Sequence, residues 1–151
     1  VAMSGVSLRS AQRSLPSLPP CTLVDQGRGS LGARMLRQIH CARFRQHNKP
    51  VIVIGTDLAD LCQSDLRHAI QKLQNQPLVL GPSADGGYWL LGLGADLTQQ
   101  QLDALFAAVP WGSNKVFDIT CARARGMGFT PYQLRMKNDI DCLADLSSWQ
   151  G

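Results

Sequence analysis

Apolar positions in this chain recur at two periods, and the alternation between them outlines a fold. From Ser30 onward, Met35, Ile39 and Ala42 fall on one helical face through Phe44, with Ser30 placed to cap the first turn. His47-Asn48-Lys49-Pro50 ends that helix. Val51 to Thr56 then runs without polar alternation, as expected of a parallel strand covered on both faces. Ser64 opens a second helix in which Leu66, Ala69, Ile70 and Leu73 fall at i, i+3, i+4 and i+7. Pro77 to Leu80 and Tyr88 to Leu93 read as strands, the latter closed by Gly94. Thr98 caps a third helix carrying Leu102, Leu105, Phe106 and Val109. Pro110-Trp111-Gly112 breaks the chain, Ser113 caps a fourth helix to about Arg125, and Gly126-Met127-Gly128 stops it. Phe129 to Leu134 predicts a strand, Asn138 to Asp141 a turn, and Leu143 to Trp149 a short terminal helix. Strands alternating with helices of this length predict an α/β layered fold with a mostly parallel sheet.

Composition narrows this picture modestly. At 151 residues and 44% apolar, the natural count is one domain over residues 1–151, with enough chain for a single core. Residues 1–21 are its least defined part: Val1 to Val6 reads as a short strand, and Ser7 to Pro20 as a Ser-, Pro- and Arg-rich loop. The net charge of +4 comes mostly from arginines between Arg28 and Arg45 and between Arg123 and Arg135. A moderately basic chain can bind phosphate, nucleotide or nucleic acid, and this excess is too small to choose among them; without a basic run interleaved with aromatics, nucleic acid is the weaker option. Five scattered cysteines without a C-x-x-C pair fit reduced thiols in a cytoplasmic protein. No apolar run approaches transmembrane length, so no membrane role is expected.

The candidate chemistry gathers at predicted strand ends. Asp57 follows Val51-Ile52-Val53-Ile54-Gly55-Thr56, and a carboxylate there can ligate Mg²⁺ or Mn²⁺ or simply cap the next turn. Asp139 and Asp141 bracket one residue and either converge on a cation or cap the helix that follows. Asp57 and Asp141 together would supply a two-carboxylate clamp for a nucleotide-diphosphate metal.

Gly81-Pro82-Ser83-Ala84-Asp85-Gly86-Gly87-Tyr88 is the most specific string. Asp85 could hold a sugar hydroxyl or act as a base, with Gly86 and Gly87 admitting a ligand close to the backbone. Asp-Gly is equally a hairpin signal. Gly27-Arg28-Gly29-Ser30-Leu31-Gly32 matches G-x-G-x-x-G, but Thr22-Leu23-Val24 is too short a strand for the dinucleotide reading. A helix N-terminus facing phosphate, with Arg28 nearby, remains open. Trp111 is a pocket-lining candidate or a core or lid aromatic. His40, His47 and His68 share no ligand spacing and read as surface residues.

Several of these strings recur together in one family. Gln26 with Gly29-Ser30-Leu31-Gly32-Ala33-Arg34-Met35, then Val53-Ile54-Gly55-Thr56-Asp57-Leu58-Ala59-Asp60-Leu61, come first. Leu80-Gly81-Pro82, Asp85-Gly86-Gly87-Tyr88-Trp89-Leu90-Leu91-Gly92-Leu93, Val109-Pro110-Trp111, Asp139-Ile140-Asp141 and Asp145-Leu146 follow in order. From about Thr22 onward the chain resembles a bacterial glycosyltransferase-like family of the nucleotide-diphospho-sugar transferase superfamily. That family is often labelled arsenosugar-biosynthesis-type glycosyltransferase and is otherwise a domain of unknown function.

The resemblance implies a three-layer α/β/α, GT-A-like fold that binds a nucleotide sugar through a divalent metal, Mg²⁺ or Mn²⁺. It implies that Asp57 and Asp141 hold the metal, and that Asp85 to Tyr88 faces acceptor or sugar. Leu58-Ala59 and Cys142-Leu143-Ala144 depart from the family's usual residues at those points. The family's opening strand and basic glycine-containing loop have no counterpart here, which implies an N-terminal truncation of at least one βα unit, roughly 30 residues. Two expectations follow: a metal-dependent glycosyl- or nucleotidyl-transferase-like protein, or a non-catalytic relative serving as a binding or self-assembling module, as a homo-oligomer.

Overall fold

The computed structural model of the protein describes residues 2–3, 21–55 and 61–137. In chain order the elements are β1 (Ala2–Met3), β2 (Val24–Asp25), α1 (Leu31–Arg45), β3 (Val51–Ile54), α2 (Gln63–Lys72), β4 (Leu78–Pro82), β5 (Tyr88–Leu93), α3 (Gln99–Phe106), α4 (Val116–Gly126) and β6 (Tyr132–Gln133). The expected turn at Asn138 to Asp141 and the terminal helix lie outside the described residues.

Local chemistry sets several boundaries. Ser30 Oγ accepts from the Ala33 amide at 3.3 Å and starts α1. Thr98 and Gln101 close a capping box on α3. α2 begins at Gln63 with Cys62 as its N-cap, not at Ser64, because the Cys62 amide donates to the carboxylate of Asp65 at 3.1 Å. α4 ends where Gly128 takes a positive φ of 89° and Phe129 N–H reaches back to the Ala124 carbonyl.

The main sheet has four strands in the order β3-β5-β4-β6. β5 runs antiparallel to both β3 and β4, while β4 and β6 are parallel. The mostly parallel sheet expected from sequence is therefore a mixed one. Its cause is the Asp85-Gly86 turn, which reverses the chain directly out of β4 into β5 as a hairpin does, with no crossover helix between them. β1 and β2 form a separate parallel pair, and Asp25 of β2 is held to α1 by Gln38 Nε2 at 2.9 Å.

Helices cover both faces. Leu78, Leu80, Leu91 and Leu93 pack with Ile39 of α1, Leu102, Leu105 and Phe106 of α3, and Cys121 and Ala124 of α4. Val79, Trp89 and Leu90 pack on the other face against Ala69 and Leu73, on and just beyond α2. Arg43 is buried under this scaffold and donates to the carbonyls of Gly94, Ala95 and Leu97 at 2.8–2.9 Å, which pins the loop after β5. Burial pushes its guanidinium pKa down from the usual value. No helix among the described residues is long and apolar enough to cross a membrane.

One irregularity matters for the site. Gly81 pairs with Leu90 but Pro82 pairs with Tyr88, so Trp89 is an extra residue on β5. The bulge leaves Trp89 and Leu90 on the α2 face and turns Tyr88 over to the other one. Trp89 lies across Gly81, where any Cβ would collide with its indole.

Candidate active site

β3, β4 and β6 all point the same way, so their carboxyl ends and the start of β5 share one edge of the sheet. The loop from Ser83 to Gly87 sits there and is held by its own backbone. Ser83 N–H donates to the Gly87 carbonyl (3.1 Å) and Gly86 N–H to the Ser83 carbonyl (3.2 Å). Asp85 is exposed; its Oδ1 accepts from Ser83 Oγ at 2.5 Å and from the Gly87 amide at 2.9 Å. Oδ1 thus orders the loop, while Oδ2 makes neither of these bonds. The Asp-Gly string forms the turn and leaves the Asp85 residue exposed.

The glycines divide in role. Gly86 has a φ of 86°, and a Cβ there would strike the backbone of Asn114. Its carbonyl accepts from Phe117 N–H at 3.0 Å, in the first turn of α4. The space that sequence reading left for a ligand is filled at Gly86 by the protein itself. At Gly87 a Cβ would meet Asp85 Oδ1 and Ser83 Oγ at 3.2 Å, so the small residue there keeps the carboxylate bond short.

Behind the loop stands an aromatic wall. Tyr88 and Trp111 meet edge to face with ring centroids 6.3 Å apart, and Trp111 lies 5.3 Å from Phe106. Burial pushes the Tyr88 phenol well above its usual pKa despite a hydrogen bond with Thr120, so it stays protonated and cannot serve as a base. The Trp111 indole rests on Gly32 in the first turn of α1, a spot that any Cβ would occupy. Trp111 therefore joins the Asp85–Tyr88 loop to the glycine-rich entry of α1. In that entry Arg37 donates to the carbonyls of Gln26 (2.7 Å) and Arg28 (2.9 Å), which fixes the loop and leaves the Arg28 residue exposed.

Asp57 and Asp141 lie outside the described residues, as do Asp60 and Asp139. The described residues leading into their segments are at the same edge. Gly55 N–H donates to the Trp89 carbonyl at 3.0 Å. Lys137 pairs with Ser83 as a parallel bridge, donating to the Pro82 carbonyl and accepting from Ala84 N–H, both at 3.1 Å.

Sequence reading missed Lys137 and its partner. Lys137 is 7% exposed, its Nζ sits 2.9 Å from Asp65 Oδ2, and it lies over the Trp89 ring at 5.5 Å. The one available signal was a lysine directly before the acidic stretch Asn138-Asp139-Ile140-Asp141. Burial works against ionisation of Asp65, but bonds from Lys137 and from the Cys62 thiol and amide outweigh it and hold its carboxyl below the ordinary range. A depressed folded-state pKa contributes stability above the unfolded value, about 3.9, and loses it as pH falls through the folded value. Urea unfolding from pH 7 to 3 should accordingly show Asp65→Asn less stable than the parent at neutrality, with the gap closing below about pH 4.

Comparison with known proteins places this geometry in context. Residues 1–113 match the model of a family described as an uncharacterized protein conserved in bacteria (DUF2064). The chain belongs to that family. A solved structure from Desulfovibrio desulfuricans G20, whose assignment as a nucleotide-diphospho-sugar transferase is provisional, superposes with a TM-score of 0.85 at 26% identity over 98% of this chain. The chain spans 63% of that protein's length. No curated protein matches the chain. The fold is thus α/β with a mixed sheet, similar to that of this solved structure.

Proposed function

We propose that the chain is the core of a metal-dependent glycosyl- or nucleotidyl-transferase-like protein, GT-A-like in layering, that binds a nucleotide sugar at the carboxyl edge of its sheet. The observation that carries this reading is the convergence there of Gly55, the Ser83–Gly87 loop and Lys137. In open α/β sheets, ligands bind outside the carboxyl ends of the strands.

The donors suit the metal. Among the described residues no group of three or more His, Cys, Asp or Glu could hold an ion. Asp57 follows Gly55 by two residues and Asp141 follows Lys137 by four, so both belong to segments continuing from the shared edge. Mg²⁺ and Mn²⁺ prefer oxygen donors and take only one or two protein carboxylates beside substrate phosphates. When bound, the metal would supply charge neutralisation at the diphosphate. Asp85 Oδ2 would orient a sugar or acceptor hydroxyl, a task a loop-anchored carboxylate performs without reorganising. Gly87 keeps that carboxylate anchored, and the Tyr88–Trp111 wall would exclude water behind the ligand. Exposed Arg28 at the entry of α1 would meet a phosphate.

A thermal-shift panel of nucleoside di- and triphosphates and nucleotide sugars, each with and without Mg²⁺ or Mn²⁺, tests this. At about a hundred times the dissociation constant the expected gain is roughly 2.7 kcal/mol, seen only when metal and one nucleotide are both present. No shift with any pair would refute the reading. A second reading, a non-catalytic self-assembling module, draws on β3: its four residues are all apolar, yet it borders the described sheet and Ile54 is 40% exposed. It requires an oligomer in sedimentation and indifference to metal.

A further inference from the structure

A cavity of about 250 Å³ opens at the opposite end of the sheet from the Asp85 loop. Its walls are Gln71 and Lys72 in the last turn of α2, Gln74, Asn75 and Gln76 in the connection to β4, and Tyr132 of β6. β4 and β6 run parallel with Val79 beside Tyr132, so the cavity lies where both strands begin. The Ser83–Gly87 loop lies where β4 ends, which makes the two places separate. The Tyr132 wall is held firmly. Its hydroxyl meets His68 Nε2 at 3.3 Å, and the two rings stand edge to face with centroids 5.7 Å apart. The Lys72 ammonium lies over the Tyr132 ring, 4.5 Å from its centroid, which places that donor at the wall.

The chemistry of the lining narrows the occupant. No carboxylate is among the lining residues and one ammonium is, a set that does not suit a metal ion. The amides of Gln74, Asn75 and Gln76 donate to the carbonyls of Gln71 and Lys72, so they form no nest for a bare phosphate. An apolar ligand would strip water from four carboxamides without replacing its hydrogen bonds. A ring bearing several hydroxyls answers each of these objections. A carboxamide offers both donors and an acceptor, a hydroxyl does the same, and the two kinds of group satisfy one another. The volume falls just under the roughly 300–1,000 Å³ of sites for drug-sized ligands, which sets the occupant at about one sugar ring.

We propose that this cavity is a binding site for a neutral sugar ring, held by the carboxamides of Gln71, Gln74, Asn75 and Gln76 and by Lys72 against the Tyr132 wall. It is a second site, independent of the metal and nucleotide chemistry proposed above.

The probes are glucose, galactose, mannose and N-acetylglucosamine, with inorganic phosphate as the contrasting ligand. Each is titrated without metal into the isotope-labelled full chain and followed by nuclear magnetic resonance. The side-chain amide resonances of Gln71, Gln74, Asn75 and Gln76 should move saturably with at least one sugar and stay in place with phosphate. Gln71 and Asn75 are both exposed, so the variant Gln71→Ala/Asn75→Ala should keep the parent's urea midpoint. It should bind that sugar about tenfold more weakly, with Gln74 and Gln76 as the remaining reporters. No movement with any sugar, movement with phosphate instead, or sugar shifts confined to the Asp85 loop would each overturn the inference. So would an undiminished affinity in the folded double variant. None of these results bears on the metal-dependent reading, whose test requires metal and nucleotide together.

Discussion

Gly86→Ala is expected to lower the unfolding free energy by about 2–5 kcal/mol, measured by urea denaturation. Two costs combine. A residue with a Cβ at a φ of 86° occupies the left-handed region, at about 1–2 kcal/mol. The new methyl must also displace the Asn114 backbone, and forced overpacking typically costs about 1–3 kcal/mol. Gly112 separates the two effects. It has the same φ of 86° but nothing within 4 Å of its would-be Cβ, so Gly112→Ala should show the conformational cost alone. If the two variants lose equal stability, the loop and α4 part without resistance and the packing argument at Gly86 is wrong. If Gly86→Ala loses more, the site loop is held rigidly against α4. The Gly86 carbonyl bond to Phe117 then becomes part of what presents Asp85.

Much of the scaffold was legible because it is local. Ser30 and Thr98 announce their helices by side-chain chemistry within one turn, and both cap as read. Tyr88 to Leu93 is a strand with the expected ends. Strand direction was not legible from periodicity, since an apolar run reads alike whether it is parallel or antiparallel. The clue was Asp85-Gly86, whose hairpin reading correctly foretold that β5 runs back along β4. The bulge at Trp89 was hidden for a different reason. It depends on register against Gly81, and register is a property of two strands rather than of one string.

The candidate site shows the same division. The Ser83–Asp85–Gly87 bonds span only a few residues and belong to a local motif. The Lys137–Asp65 pair and the seating of Trp111 on Gly32 join distant parts of the chain, which no spacing rule connects. Sequence thus named the residues that present chemistry more readily than those that hold them in place.

Asp57→Asn and Asp141→Asn carry the largest functional effect. Each keeps the shape of the side chain and one oxygen donor but removes a unit of negative charge from a clamp that would have only two. With metal and nucleotide at about a hundred times the parent's dissociation constant, the parent should gain roughly 2.7 kcal/mol. A hundredfold weaker variant under the same conditions should gain only about 0.4 kcal/mol, so the metal-dependent shift all but disappears. Asp96→Asn, in the exposed turn before α3, is the control and should shift as the parent does. Selective loss in the two variants would identify the carboxylates at the ends of the β3 and Lys137 segments as the cation's ligands. Full shifts in both would mean that any metal-dependent binding uses other donors. The converging edge of the sheet would then be a scaffold whose acidic segments cap turns, the other role their spacing allows.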